Sequence, residues 1–354
     1  MKLFVGYQMR KNDAFLNSIL SHKDEIGEVY FSWDTMPSGR SIVGLQQDLL
    51  PWEASQRQRS DLKKIANAGI GLNLLLNANC YGARSLERSF YQSTGDLIDC
   101  LMREWNLVSV TTTSPVIGRF VRQNFSGLEV RASINMEIGT PEGMDYLADS
   151  FDSFYVKREL NRDMEALRRL RRHCDETGKG LHMLANSGCL NNCSARQFHD
   201  NLVAHEQEIA RMDNAFAFHS ACRGFLGKGD NRKHLIRLSN WVRPEDLHHY
   251  EGLVDGVKIA TRTSPNPASI LEAYTRRRYS GNVLDLLEPN YAGLFYPEVL
   301  NNSAFPPEYF DIRHNCSRNC DSCGYCLRVY EKISETIADI YMTENDIEEE
   351  SKSC

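Results

Sequence analysis

The chain has 354 residues, 42% of them hydrophobic and 25% charged, with 11 prolines, which excludes a disordered or fibrous protein. A chain of that length can bury most of its apolar surface without staples and suits one α/β barrel or two modest domains. Its 41 basic and 47 acidic residues leave a net charge of -6, which excludes a general electrostatic grip on nucleic acid.

The N-terminus, MKLFVGYQMRKND, has an apolar stretch of only Leu3–Tyr7, too short for a signal peptide. It reads instead as a first β-strand. Further β-rich runs follow at Val29–Trp33, Gly71–Ala78, Leu107–Thr112, Leu128–Asn135, Ser153–Val156, Gly180–Asn186 and Val254–Ala260. Between them, Ser55–Ala68, Ser85–Trp105 and Arg162–Cys174 carry a helical period. In the last of these, Met164, Leu167 and Leu170 share one face and arginines surround the other. Strand and helix alternating over eight units predict a TIM-like (β/α)8 barrel, with a doubly wound open sheet as the alternative. No glycine-rich phosphate-binding fingerprint follows a strand, so the open sheet loses its main support.

The barrel is placed at residues 1–284, with a long loop insertion at 187–253 that no single crossover helix would fill. Residues 285–344 form a C-terminal cysteine-rich extension, and the acidic tail 345–354, with Cys354, is expected to be disordered. No apolar run approaches the roughly 18 residues of a membrane span. The expectation is a cytoplasmic protein.

The 11 cysteines are the strongest compositional signal. Cytosolic thiols stay reduced, so a disulfide framework is the wrong reading. Cys316, Cys320, Cys323 and Cys326 form one compact run. Structural zinc usually takes two knuckles separated by a longer arm, whereas such compact runs suit an iron–sulfur cluster. The first three cysteines also match the CxxxCxxC spacing of radical S-adenosylmethionine enzymes, but at the wrong end of the barrel and with Ser322 where an aromatic belongs. That match is a coincidence. Cys189 and Cys193, in NSGCLNNCSARQFHDN, lie in a loop where an exposed reduced pair is a liability unless ligated. Cys222 is the natural third ligand, and the C-terminal run could lend a fourth. Cys80, Cys100 and Cys174 read as core or surface thiols.

In a barrel the chemistry sits where strands run into the loops that follow them. The ends here are polar: Tyr7, Trp33 and Asp34, Asn79 and Cys80, Thr112, Asn135, Arg158 and Glu159, Asn186, and Lys258 and Arg262. Arg158 can bind an anionic substrate while Glu159 handles protons. Lys258 and Arg262 suit a carboxylate or phosphate, and Asn186 is a further candidate for substrate binding. His199, Asp200 and His205 follow the cysteine pair; His199 and Asp200 join Glu159 as catalytic candidates, the histidine as a donor to cluster sulfur or of a proton. The basic runs at 168–173 and 275–279 read as solvated helix faces.

Three blocks resemble the U32 peptidase family, also called collagenase-like: FYVKREL at 154–160, LANSGCLNNCSARQFHDN at 184–201, and WVRPEDLHHYEGLVDGVKIATR through AYTRRRY at 241–279. The resemblance implies a TIM-like barrel holding a 4Fe-4S cluster by loop cysteines, one cluster or two in this chain. It also implies oxygen-independent hydroxylation of ubiquinone precursors or RNA bases, with prephenate as hydroxyl source; other members are named peptidases. The chain departs from the pattern in Ala260 and Thr261, which stand where Glu-Gly is usual. It also lacks the long peptidase signature and carries the extra C-terminal run. The expectation is an iron–sulfur oxidoreductase or hydroxylase that tailors an anionic small-molecule, RNA or peptide substrate. A U32-type peptidase is one rival. The other is a cluster-bearing subunit that serves a homologous partner or takes electrons from a donor, without catalysis of its own. No Ser-His-Asp order or HExxH motif supports the hydrolase.

Overall fold

The structure, a computed structural model, describes residues 1–33, 36–39 and 49–337. The acidic tail, the end of the C-terminal extension and the strand-end residue Asp34 lie outside the described residues. Eight parallel strands close into a barrel: β1 Lys2–Gly6, β2 Ile26–Phe31, β3 Gly71–Leu76, β4 Leu107–Thr112, β5 Glu129–Ala132, β6 Ser153–Tyr155, β7 Gly180–Leu184 and β8 Gly256–Ile259. Each pairs with its sequence neighbours, and β8 returns to β1 through pairs such as Phe4 with Lys258. The (β/α)8 barrel expected from the alternating pattern is the fold. Several strands stop short of their apolar runs: β7 ends at Leu184 rather than Asn186, where the chain leaves the ladder for the mouth.

The period of two along each strand explains the two apolar layers. Outward residues such as Val5, Val29, Phe31, Leu72, Leu74, Val110, Val130, Phe154, Met183, Val257 and Ile259 belong to one large core beneath the surrounding helices. Helix Met164–Thr177 contributes Leu167, Leu170 and Cys174 to it, is capped by the Asp163 carboxylate, and ends at Gly178 with φ 65°. The basic run along that helix keeps Arg168, Arg169 and Arg172 exposed. Inward residues form a second, smaller set of Phe4, Tyr30, Leu75, Ile134, Tyr155, Leu184 and Ala260. Two strand glycines make room for its rings. A Cβ at Gly256 would lie 2.1 Å from the Phe4 ring, and one at Gly6 would lie 2.7 Å from Tyr30.

Toward the N-terminal ends of the strands the interior is polar and closely paired, with Arg131 Nε and His182 Nδ1 as the buried atoms left over. Arg131 pairs with Glu28 and Glu129, each at 2.7 Å, and stacks 4.6 Å over the Phe4 ring. Asn73 and Ser109 donate to Glu28 at 2.7 and 3.0 Å, while His182 and Ser153 meet Glu129. Burial alone would raise the Glu129 carboxyl. The His182 hydrogen bond and the Arg131 charge outweigh it and hold that carboxyl well below the usual range.

The crossover between β7 and β8 is a chain of short helices, Arg196–Ala204, Glu206–Ile209, Ala221–Leu226 and Leu235–Leu238. It shares one core with the C-terminal extension. Leu226, Leu235 and Trp241 pack with Leu284, Phe295, Leu300, Tyr309 and Ile333. A small antiparallel pair, β9 Glu298–Leu300 with β10 Ser334–Thr336, closes this second body. Among the described residues no helix is long and apolar enough to cross a membrane.

Candidate active site

Lys258 is the innermost cation of the mouth. Its Nζ lies 3.9 Å from the centre of the Tyr30 ring and 5.4 Å from that of Tyr155. Tyr30 is held in place by donating its hydroxyl to the Ile259 carbonyl at 2.8 Å. Among the described residues Lys258 makes no ion pair. Burial, with the Arg262 charge beside it and Arg158 further off, pulls its amine down to about 7 against the weaker pull of Glu28 and Glu288. Arg262 sits 5.7 Å above the same Tyr30 ring and donates to Ser38 Oγ at 3.2 Å.

Arg158 is buried at the mouth but does not pair with its sequence neighbour. Its guanidinium meets Glu137 at 3.0 Å and Asn135 Oδ1 at 2.9 Å. Glu159 turns the other way, to Arg196 at 3.1 Å, and Arg196 also pairs with Glu137 at 2.9 Å. Arg158 and Glu159 thus join a chain of alternating charges, Arg158, Glu137, Arg196, Glu159, rather than each other. The reason is directional: adjacent residues leaving β6 project apart, and each finds a counter-charge on another loop. Asn186 lies just beyond the end of β7. It is fully buried, donates to the carbonyls of Ala260 and Leu286 at 2.8 and 2.7 Å, and accepts from the Ala260 N–H at 2.7 Å. Its amide tethers the end of β7 to that of β8 and to the extension, spending both N–H donors and leaving one acceptor lone pair on Oδ1.

Beside Arg158 opens a cavity of about 440 Å³, lined by Cys189, Cys193, Cys222, Arg196, His199 and Asp200 among others. The insertion therefore does bring the three expected cysteines to one place. Burial raises the Cys222 thiol, a hydrogen bond with Tyr291 offsets part of that rise, and the Cys189 and Cys193 charges add to it. Tyr291 comes from the extension and donates to the Gly188 carbonyl at 3.0 Å, which fixes the cysteine loop from outside. Arg196 was overlooked in the sequence although it lies in the cysteine block itself. Nothing in a lone arginine of a polar loop shows that it will join two carboxylates and a cavity wall.

Cys316, Cys320, Cys323 and Cys326 line a different cavity, of about 280 Å³, together with Arg162, Arg237 and Arg318. Cys320 and Cys323 flank one helical turn that Gly324 ends at φ 62°. Burial pushes the Cys326 thiol up to about 11, with Cys316, Cys320 and Cys323 contributing. The two cavities share no lining residue. The second core stands between the two loops and gives each its own wall.

No model of a known protein family matches the chain. An uncharacterized protease of Methanocaldococcus jannaschii, MJ1657, is 27% identical over 271 residues, 74% of this chain and 77% of its own. The solved structure of the U32 peptidase Mk0906 superposes with a TM-score of 0.52 at 15% identity, covering 73% of this chain and 91% of that one. The chain is a U32-like barrel.

In this U32-like barrel the fit to a thiolate-bound group can be judged from the donors themselves. Among the described residues no three Cys, His, Asp or Glu side chains are placed to grip a single metal ion. Each cysteine set instead surrounds a cavity, and all of these thiols are free of disulfides. A cluster core holds its thiolates further apart than one ion does, so soft donors spread around a cavity suit the larger group. Cys189, Cys193 and Cys222 would hold it at the mouth, and the C-terminal run would hold it in the extension.

Proposed function

We propose that this U32-like enzyme holds a 4Fe-4S cluster at Cys189, Cys193 and Cys222 and uses it in redox tailoring of an anionic substrate, such as oxygen-independent hydroxylation. One observation carries the reading: three cysteines spread over a long insertion line a single cavity that also exposes Arg158 at the barrel mouth. A bound cluster supplies one-electron transfer with an external donor. The chain's own residues supply the rest. Lys258 and Arg262 hold the substrate's negative charge over the Tyr30 ring. In this reading His199 and Asp200, which line the cavity wall, deliver or accept a proton there.

Anaerobic purification followed by iron and sulfide analysis tests this directly. The Cys189→Ala, Cys193→Ala double variant is expected to lose its brown colour and the mouth iron together, whereas Cys320→Ser with Cys323→Ser removes only the iron held in the extension. Full iron retention in the first variant overturns the assignment. The second reading is peptide hydrolysis, which rests on the names of the two relatives, a protease and a U32 peptidase. Cleavage of a peptide library by iron-free protein would favour it.

A further inference from the structure

The two cysteine cavities offer similar donors but differ in the charge around them. Arg158, Arg196 and Arg223 line the mouth cavity and are matched there by Asp200, Glu206 and Glu288. Arg158 and Arg196 also pair with Glu137 and Glu159. The extension cavity is lined by Arg162, Arg237, Arg313 and Arg318 and, among the described residues, by no carboxylate. Arg318 pairs with Asp163, but the other three make no ion pair among the described residues. Arg313 is only 3% exposed. Its Nη2 donates to the Ile236 and Ser239 carbonyls, each at 2.6 Å, while its Nε and Nη1 meet no acceptor among the described residues. Arg237 Nε is buried in the same condition, and Arg162 Nη1 donates to the Arg237 carbonyl at 3.1 Å. A buried guanidinium without a counter-charge is costly unless an anion meets it. The four cysteines on the same cavity wall supply that anion once they hold a cluster as thiolates.

We infer that the extension is the more readily reduced of the two cluster sites and that Arg162, Arg237 and Arg313 set this order. The inference rests on the cluster reading and deepens it. Reduction moves one electron, and so one negative charge, from an external one-electron donor onto the bound group. Unpaired cations beside that group favour the added charge, whereas a balanced wall of three cations and three carboxylates does not. One thiolate fewer at the mouth takes away one negative charge there and works in the opposite direction. Three unpaired guanidinium groups outweigh it. Solvent adds to the difference, because Cys323 is exposed whereas Cys189, Cys193 and Cys222 are half-buried. An electron entering the chain therefore settles in the extension first. The arginines act through the cluster and touch no substrate.

Anaerobic dithionite titration of the full chain, followed by electron paramagnetic resonance, tests the order. Cys189→Ala with Cys193→Ala leaves only the extension iron, and Cys320→Ser with Cys323→Ser leaves only the mouth iron. The extension signal is expected to appear at the higher potential. Arg237→Gln, added to the first variant, is expected to lower the reduced-to-oxidised ratio at a fixed potential about tenfold, which is about 59 mV for one electron. Arg237→Lys keeps the charge and is expected to restore most of the ratio, with iron content level throughout. Arg162→Gln gives a second, independent reading of the same shift. An extension potential at or below that of the mouth, or one that ignores both glutamine variants, overturns the inference while the cluster reading stands. Absence of iron from the first variant overturns the cluster reading for the extension and the inference with it, so the two failures are told apart.

Discussion

Two of the cations buried in the barrel are treated in opposite ways. Near the N-terminal ends of the strands Arg131 is clamped between Glu28 and Glu129 under hydroxyl and amide donors. Near the C-terminal ends Lys258 is about as buried but rests on tyrosine rings, with Arg262 as its neighbour and, among the described residues, no carboxylate paired to it. A buried charge that is paired and hydrogen-bonded is a closed unit with nothing left to offer. One that is not paired has an outstanding electrostatic need that an incoming anion meets. Arg131 therefore serves the fold, and on the reading proposed above Lys258 is the cation left to meet a ligand.

The largest expected effect breaks the lower unit. Arg131→Met leaves Glu28 buried without its cation and is expected to cost about 3–5 kcal/mol in urea denaturation. Lys258→Met removes an unpaired buried charge and is expected to leave the urea midpoint unchanged or higher. Equal losses from both variants would erase the distinction between the two ends.

That distinction was only half legible in the sequence. The eight strands could be read because each is a short apolar run between amphipathic helices, and the cations at the end of β8 could be read from position alone. Glu28 and Arg131 were missed because a charged residue alternating with apolar ones in a strand looks like a solvent face, and only barrel closure turns that face inward. The tether made by Asn186 was hidden for the converse reason: a polar strand-end residue resembles a ligand contact, and its three backbone partners come from segments far off in sequence. The shared second core is a long-range meeting between segments that carry no matching local pattern.

A smaller effect sharpens the upper half of the comparison. Arg262→Ala is expected to weaken a carboxylate ligand such as prephenate by roughly ten- to a hundredfold, the range of one charge-assisted contact of about 1.5–3 kcal/mol. Isothermal titration would measure it. Iron content is expected to stay at the native level, since Arg262 does not line either cysteine cavity. Loss of iron or of fold with unchanged affinity per folded molecule would make Arg262 a structural residue instead.

The smallest effect per step is in pH, and its sign follows from Lys258. An unfolded lysine stays protonated to about pH 10.4, while the folded amine gives up its proton near 7. Between those values the unfolded chain binds more protons than the folded one, so stability attributable to this residue rises with pH, by at most about 1.4 kcal/mol per unit. Lys258→Met is expected to remove that slope in urea midpoints taken from pH 7 upward. Ligand binding should move the other way: an anion favours the protonated amine, so its affinity is expected to fall as pH rises through 7 in the native chain and to stay flatter in the variant. A native chain whose stability and affinity both ignore pH across that window would mean that Lys258 keeps its proton, and with it a counter-charge that pairs it as firmly as Glu28 pairs Arg131.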